Sequence, residues 1–271
     1  MVATILVDNN AGEGLLPEWG LSIHIEHNGH QILLDTGSSG KFAQNAGSLD
    51  IDLSAVECGV LSHAHYDHSD GLEAFFAVNT DAPFYVRESA GENCYRKNKI
   101  LYHYIGIHRG YLSRFRDRIR YVEGKREILP GVTLLPHMTP GLEEIGRRAR
   151  MYVRKGIIFR PDSFSHEQSL VVDTADGLVV FNSCSHGGAD NIIRETEESW
   201  PDKKIKALVG GLHLFRSSDE TVRALAERVK ETGIEKIYTG HCTGERAFSI
   251  LKEELGDRVE PILTGLQIRL G

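Results

Sequence analysis

The order of sequence patterns predicts an α/β (α+β) protein built from two mixed sheets flanked by helices. Three observations carry this. The first third of the chain alternates short, β-branched apolar runs with turn signals. From about residue 168 onward, apolar runs alternate with stretches of helical periodicity. No tandem repeat or low-complexity segment breaks the pattern into an array.

Taken in order, residues 2–7, 21–27 and 31–35 read as strands. Asn28-Gly29 between the last two is a strong hairpin turn. A short helix is expected over 40–46, a buried strand over 57–61, a helix over 71–77 and a strand over 83–86. In the next stretch, Arg114, Arg116, Arg118 and Arg120 alternate with other residues. If that stretch is extended, all four arginines share one face of a strand and are candidate substrate contacts. Residues 127–135 also look extended, with Pro130-Gly131 as a turn. Strands at 169–173 and 178–182 form an expected hairpin. Helices at 190–199, 218–232 and 245–255 then alternate with strands at 205–209 and 236–239.

The 271 residues fit one domain, with a basic, substrate-binding insertion at about 88–165. A net charge of −7 disfavours nucleic acid as a partner. The charge is unevenly spread, because residues 94–160 hold 16 Lys/Arg against 5 Asp/Glu. A basic middle inside an acidic frame suggests an anionic small-molecule substrate, although a solvated basic face gives the same pattern. No apolar run approaches the ~20 residues of a membrane span. Residues 1–7 read as a first strand and not as a signal peptide, which implies the cytoplasm. The four cysteines form no CxxC pair, so a zinc ribbon or dithiol redox motif is disfavoured.

The chemistry concentrates in His63-Ala64-His65-Tyr66-Asp67-His68, directly after the apolar run 58–61. An HxHxDH pattern should arise by chance on the order of a few times per thousand such chains. Imidazole suits zinc and iron, and a carboxylate adds a hard anionic ligand. His63 and His65 can share one metal, while Asp67 and His68 reach a second one nearby. Four residues do not fill two coordination spheres, so further ligands are expected at strand ends downstream.

Three places offer them: Cys184-Ser185-His186-Gly187, Gly210-Gly211-Leu212-His213 and Gly240-His241-Cys242. Each follows a predicted strand, and the glycines permit tight turns. His186 and His241 are therefore the preferred further ligands, and His213 is a candidate catalytic acid. Cys184 reads equally as a thiolate ligand or a small buried residue, and His166 is a weaker ligand candidate. Asp35-Thr36-Gly37 matches an aspartic-protease signature, but no second Asp-Thr-Gly supplies the partner carboxylate.

With Asp35-Thr36-Gly37 after an apolar strand and HxHxDH downstream, the chain resembles the metallo-β-lactamase superfamily. The segments 61–68, 184–186, 210–213 and 239–244 resemble the subgroup named for 7,8-dihydropterin-6-methyl-4-(β-D-ribofuranosyl)aminobenzene-5′-phosphate synthase. The resemblance implies an αββα sandwich with two metals at one edge between the sheets. It implies zinc, with iron or manganese as alternatives. His63, His65 and His186 would hold one ion, and Asp67, His68 and His241 the other. Asp67 would double as a proton acceptor, His213 would stabilise or protonate the departing group, and Asp35 would orient the ligand loop. The superfamily commonly bridges its metals with an Asp, where this chain has Cys184. The expected activity is that of a hydrolase or transferase acting on an anionic, phosphorylated, ring-containing molecule. The alternatives are a ligand-binding or sensor protein with a degenerate site, and a nuclease of the same fold.

Overall fold

The computed structural model describes residues 1–271. Its first strands are β1 (Val2–Val7), β2 (Ser22–His27), β3 (His30–Leu34), β4 (Cys58–Val60) and β5 (Phe84–Arg87). The middle of the chain adds β6 (Cys94–Asn98), β7 (Leu101–Tyr104), β8 (Ile119–Val122), β9 (Arg126–Leu129) and β10 (Val132–Pro136). Next come β11 (Met151–Lys155), β12 (Ile158–Pro161), β13 (Gln168–Thr174) and β14 (Gly177–Phe181). The last strands are β15 (Ile205–Val209), β16 (Lys236–Thr239), β17 (Val259–Pro261) and β18 (Gln267–Arg269).

The helices of the first half are α1 (Lys41–Ser48), α2 (Tyr66–Ser69), α3 (Leu72–Val78) and α4 (Tyr111–Arg114). The second half carries α5 (Glu143–Ala149), α6 (Ala189–Ser199), α7 (Asp219–Lys230) and α8 (Glu245–Leu255).

Two seven-stranded mixed sheets face each other, in the orders β18-β1-β2-β3-β4-β5-β8 and β17-β16-β15-β14-β13-β10-β9. Strand residues point alternately to opposite faces, and that rule explains the unbroken apolar runs. Val179 and Phe181 of β14, with Ala207 and Val209 of β15, enter the core between the sheets beside Ile5, Ile23 and Ile32. Their neighbours Val180 and Leu208 face outward, where Ile193, Val222 and Leu251 of α6, α7 and α8 cover them. On the other sheet, Phe42 of α1 and Phe75 of α3 cover Leu33 and Phe84. Both faces of each sheet are thus buried, giving the expected αββα layering. The hairpin between β2 and β3 turns on Asn28 (φ 51°) and Gly29 (φ 84°), the two positive values that a type I′ turn requires.

The basic middle departs from expectation in two ways. It is not one inserted block. β8 extends the first sheet and β9 and β10 extend the second, while β6, β7, β11 and β12 form a separate four-stranded sheet. The four arginines do not share a strand face either. Gly110, at φ 91°, starts the helical turn α4 that ends at Arg114. Arg116 lies in the connection, and only Arg120 belongs to β8. Arg118 donates to the carbonyls of Asn79 and Ala82, Arg114 pairs with Glu73 at 2.6 Å, and Arg120 donates to the carbonyl of Asp117. These side chains tie the first sheet's edge to its surroundings.

Candidate metal centre

The predicted ligands leave the sheets at the C-terminal ends of parallel strands, where α/β folds place ligand sites. β4 runs parallel to β3, and β14, β15 and β16 run parallel to one another. The loops after β4, β14 and β16 carry residues 63–68, 184–186 and 241–242, and the loop after β15 carries His213. Four of the nine non-glycine residues with positive φ sit here: Asp35, Ser185, His213 and His241. Left-handed backbone costs free energy at such residues and persists where surrounding contacts impose it, often at functional sites.

His63, His65 and His186 form one group of donor atoms lying within 4.8 Å of one another. All three are buried, and Nε2 of His63, Nε2 of His65 and both ring nitrogens of His186 have no partner. An unpaired buried polar atom is costly, so three such rings in one place point to a cation that would take one nitrogen from each. Burial, and next the neighbouring imidazoles, hold the pKa values of His63 and His186 well below the ordinary range. Neutral rings with free lone pairs are what a metal ion takes. Phe164 stacks on His186 at 5.0 Å and 11°.

The second group lies beside it. His68 Nε2 is 3.2 Å from His241 Nε2, and Asp67 Oδ2 is 3.9 and 3.6 Å from those two nitrogens. Each ring is oriented from behind. Asp35 accepts from His68 Nδ1 at 2.8 Å, from Ser62 N at 2.7 Å and from Ser62 Oγ at 2.6 Å. His63 Nδ1 is 2.8 Å from that same Ser62 hydroxyl. Asn9 accepts from His241 Nδ1 and donates to its carbonyl, both at 3.1 Å. Trp19 Nε1 donates to Asp67 Oδ2 at 2.9 Å. Burial would lower the His68 pKa, but the charges of Asp35 and Asp67 carry it up to about 9. Burial takes His241 the other way, to about 3.

Cys184 Sγ lies between the groups, 3.3 Å from His68 Nε2 and within 4.8 Å of donors in both. His213 is half-buried with Nδ1 unpartnered, and its ring centroid is 4.2 Å from that of His186. His166 is brought to the site but its nitrogens are spent. Nε2 donates to Asp162 Oδ2 at 3.0 Å and Nδ1 accepts from Ala64 N at 3.2 Å. His166 thus braces the His63–His65 loop, with its N–H given to Asp162 and its one lone pair taken by the Ala64 N–H.

Above the donors opens a cleft of about 340 Å³, whose walls include Trp19, Tyr66, Arg96, Phe215 and Arg216. It shares Arg96, His186, His213 and Arg216 with a cavity of about 770 Å³ that adds Lys97, Arg148, Arg150 and Arg228. Arg114, Arg116, Arg118 and Arg120 line neither. The basic middle does reach the site, through different residues from those the alternating pattern suggested. Trp19 and Arg216 escaped the sequence reading because nothing local marks them.

The loop after β14 rests on a buried polar relay. Glu167 accepts from the N–H groups of His186 and Gly187 at 2.9 and 3.0 Å. His137 sits between Glu167 and Glu195 at 2.5 and 2.9 Å.

Comparison with known proteins identifies the family of the chain. The family model of the metallo-beta-lactamase superfamily matches residues 20–145. A solved metal-dependent hydrolase of the β-lactamase superfamily is 31% identical, with a TM-score of 0.86 over 100% of this chain and 99% of that one. The 7,8-dihydropterin-6-methyl-4-(beta-D-ribofuranosyl)-aminobenzene-5′-phosphate synthase of Methanocaldococcus jannaschii is 27% identical over 93% of this chain and 91% of its own. Zn²⁺-bound PqqB from Methylobacterium extorquens shares the fold across both full lengths, with a TM-score of 0.58 at 12% identity. No helix is long and apolar enough to cross a membrane.

Proposed function

Because this chain belongs to the metallo-β-lactamase superfamily, we propose that it is a metal-dependent hydrolase or transferase acting on an anionic, phosphorylated, ring-containing small molecule. The observation that carries this reading is the set of unpartnered, buried imidazole nitrogens of His63, His65 and His186, beside Asp67, His68 and His241. The donor set fits two zinc ions, one on each trio, with iron or manganese as alternatives. When bound, such ions polarise a substrate oxygen and acidify water.

The chain's own residues supply the rest. The Asp67 carboxylate, steadied by Trp19, accepts the proton released as the substrate is attacked. His213 is open to the cleft, where its ring can protonate or stabilise the departing group. Arg96 and Arg216 stand where phosphate oxygens would bind, with charge-assisted hydrogen bonds as the attraction. Trp19, Tyr66 and Phe215 offer faces for a ring in the same cleft. The likeness to the pterin-related synthase, a protein named for a phosphorylated ring-bearing product, supports the same substrate class.

The test is metal analysis of the purified chain together with turnover of chromogenic phosphomonoesters, phosphodiesters and carboxylate esters. The proposal expects metal in the protein, loss of turnover after chelation, and recovery with zinc. Less than one metal per chain and no turnover with any of these substrates would overturn it.

A further inference from the structure

Cys242 has no part in the chemistry described so far, yet its surroundings are built around its sulfur. Cys242 Sγ lies 3.3 Å from Cys184 Sγ. The donor atoms of Cys184, Cys242 and His241 all lie within 4.8 Å of one another. Both thiols are buried but contribute to the wall of the cleft, so an ion entering from solvent reaches them. The backbone leaves room for the pair, because a Cβ at Gly211 would come within 2.5 Å of Cys242 Sγ. It also aims a donor at the sulfur: His213, at φ 50°, gives its N–H to Cys242 Sγ at 3.2 Å.

Two small residues packed for volume alone would need neither the N–H donor nor proximity to an imidazole lone pair. Cys184 has that proximity, at 3.3 Å from His68 Nε2. Independently, the buried and unpartnered Nε2 of His63 belongs with Cys184 and His68 in a further group of mutually close donors.

We propose that Cys184 and Cys242, with His241, form a thiol-based metal position that holds the second ion on sulfur. The inference rests on the metal-centre reading above and deepens it, by adding sulfur to the Asp67, His68 and His241 donors of the second ion. The ligand class is a thiophilic divalent cation such as Zn²⁺ or Cd²⁺, favoured over Mn²⁺, because soft sulfur selects soft ions. Each coordinated thiol gives up its proton to solvent as the ion binds.

The experiment uses the full chain, stripped of metal, kept anaerobic and titrated with Co²⁺. The expected result is a near-ultraviolet sulfur-to-cobalt charge-transfer band that grows with the second equivalent. Cys184→Ser and Cys242→Ser should each weaken that band and the double variant should abolish it, with the visible bands of the first equivalent unchanged in all three. X-ray absorption of the zinc-loaded wild-type chain checks the same point without relying on a variant's folding, since sulfur ligands appear at about 2.3 Å. Cobalt uptake without a sulfur band, and zinc without a sulfur shell, would overturn the thiol position and leave the metal centre standing. A band at full intensity in Cys242→Ser would overturn the pair. Failure to take up any metal would overturn both this inference and the proposed function.

Discussion

Replacing Asp35 with Asn changes one atom, and the structure says which metal position should feel it. Of the three hydrogen bonds that the Asp35 carboxylate accepts, the two from Ser62 Oγ and His68 Nδ1 end on Oδ2. An amide nitrogen there turns hydrogens toward His68, whose ring must then accept at Nδ1 and carry its proton on Nε2. Nε2 is the atom that faces Asp67 and His241. A hydrogen bond to a charged group contributes about 1.5–3 kcal/mol. Partners that orient a ligand from behind typically change metal affinity about 10–100-fold, which corresponds to about 1.4–2.7 kcal/mol. Affinity for the second zinc should fall by that factor. The first should fall less, because His63 Nδ1 still has the Ser62 hydroxyl beside it. Competition with a chromophoric chelator resolves the two affinities. An unchanged second affinity, or equal losses at both positions, would refute the tautomer argument.

Three further outcomes follow from the same geometry. His137→Leu leaves the buried carboxylates of Glu167 and Glu195 unpaired, a class of change that costs about 3–5 kcal/mol, read from urea unfolding. Burial would lower the His137 pKa, but Glu167 and Glu195 raise it to about 9. Its folded value lies above the unfolded one, so its stabilisation is full below about pH 6.5 and fades as pH rises through about 9; the gap between wild type and variant should narrow over that window. Gly71→Ala would place a Cβ 2.1 Å from the Thr36 carbonyl oxygen and 2.6 Å from that of Ser39. The backbone must shift, with a loss of about 1–3 kcal/mol in thermal unfolding and weaker zinc binding by the neighbouring ligand loop. For a phosphorylated substrate, Arg96→Ala and Arg216→Ala should each raise KM about 10-fold or more, while Arg116→Ala leaves steady-state kinetics unchanged.

Much of the candidate metal centre was legible because its signals are local. The HxHxDH motif follows a buried strand directly, and a histidine within two residues of a glycine follows each of β14, β15 and β16. The apolar runs marked these strands because both faces are covered, one by the opposite sheet and one by helices. The arginine alternation misled for a physical reason. A period of two is diagnostic only where one face is buried, and here Arg118 is consumed by the carbonyls of Asn79 and Ala82. The cleft's own cations were invisible because Arg96, Arg148 and Arg216 meet only after β6, α5 and the loop past β15 converge. Cys242 stands next to a readable ligand candidate, but only the fold shows its sulfur beside that of Cys184. His166 shows the reverse case, a histidine in a suggestive place whose N–H Asp162 accepts and whose lone pair Ala64 N–H takes.

The central claim is that the two donor trios hold two metal ions. Anomalous diffraction from zinc-grown crystals, measured on both sides of the zinc edge, tests it most directly. The account predicts two peaks about 3.5–4 Å apart, one against His63, His65 and His186 and the other against Asp67, His68 and His241. No peak at these residues, or zinc bound only elsewhere on the chain, would contradict it.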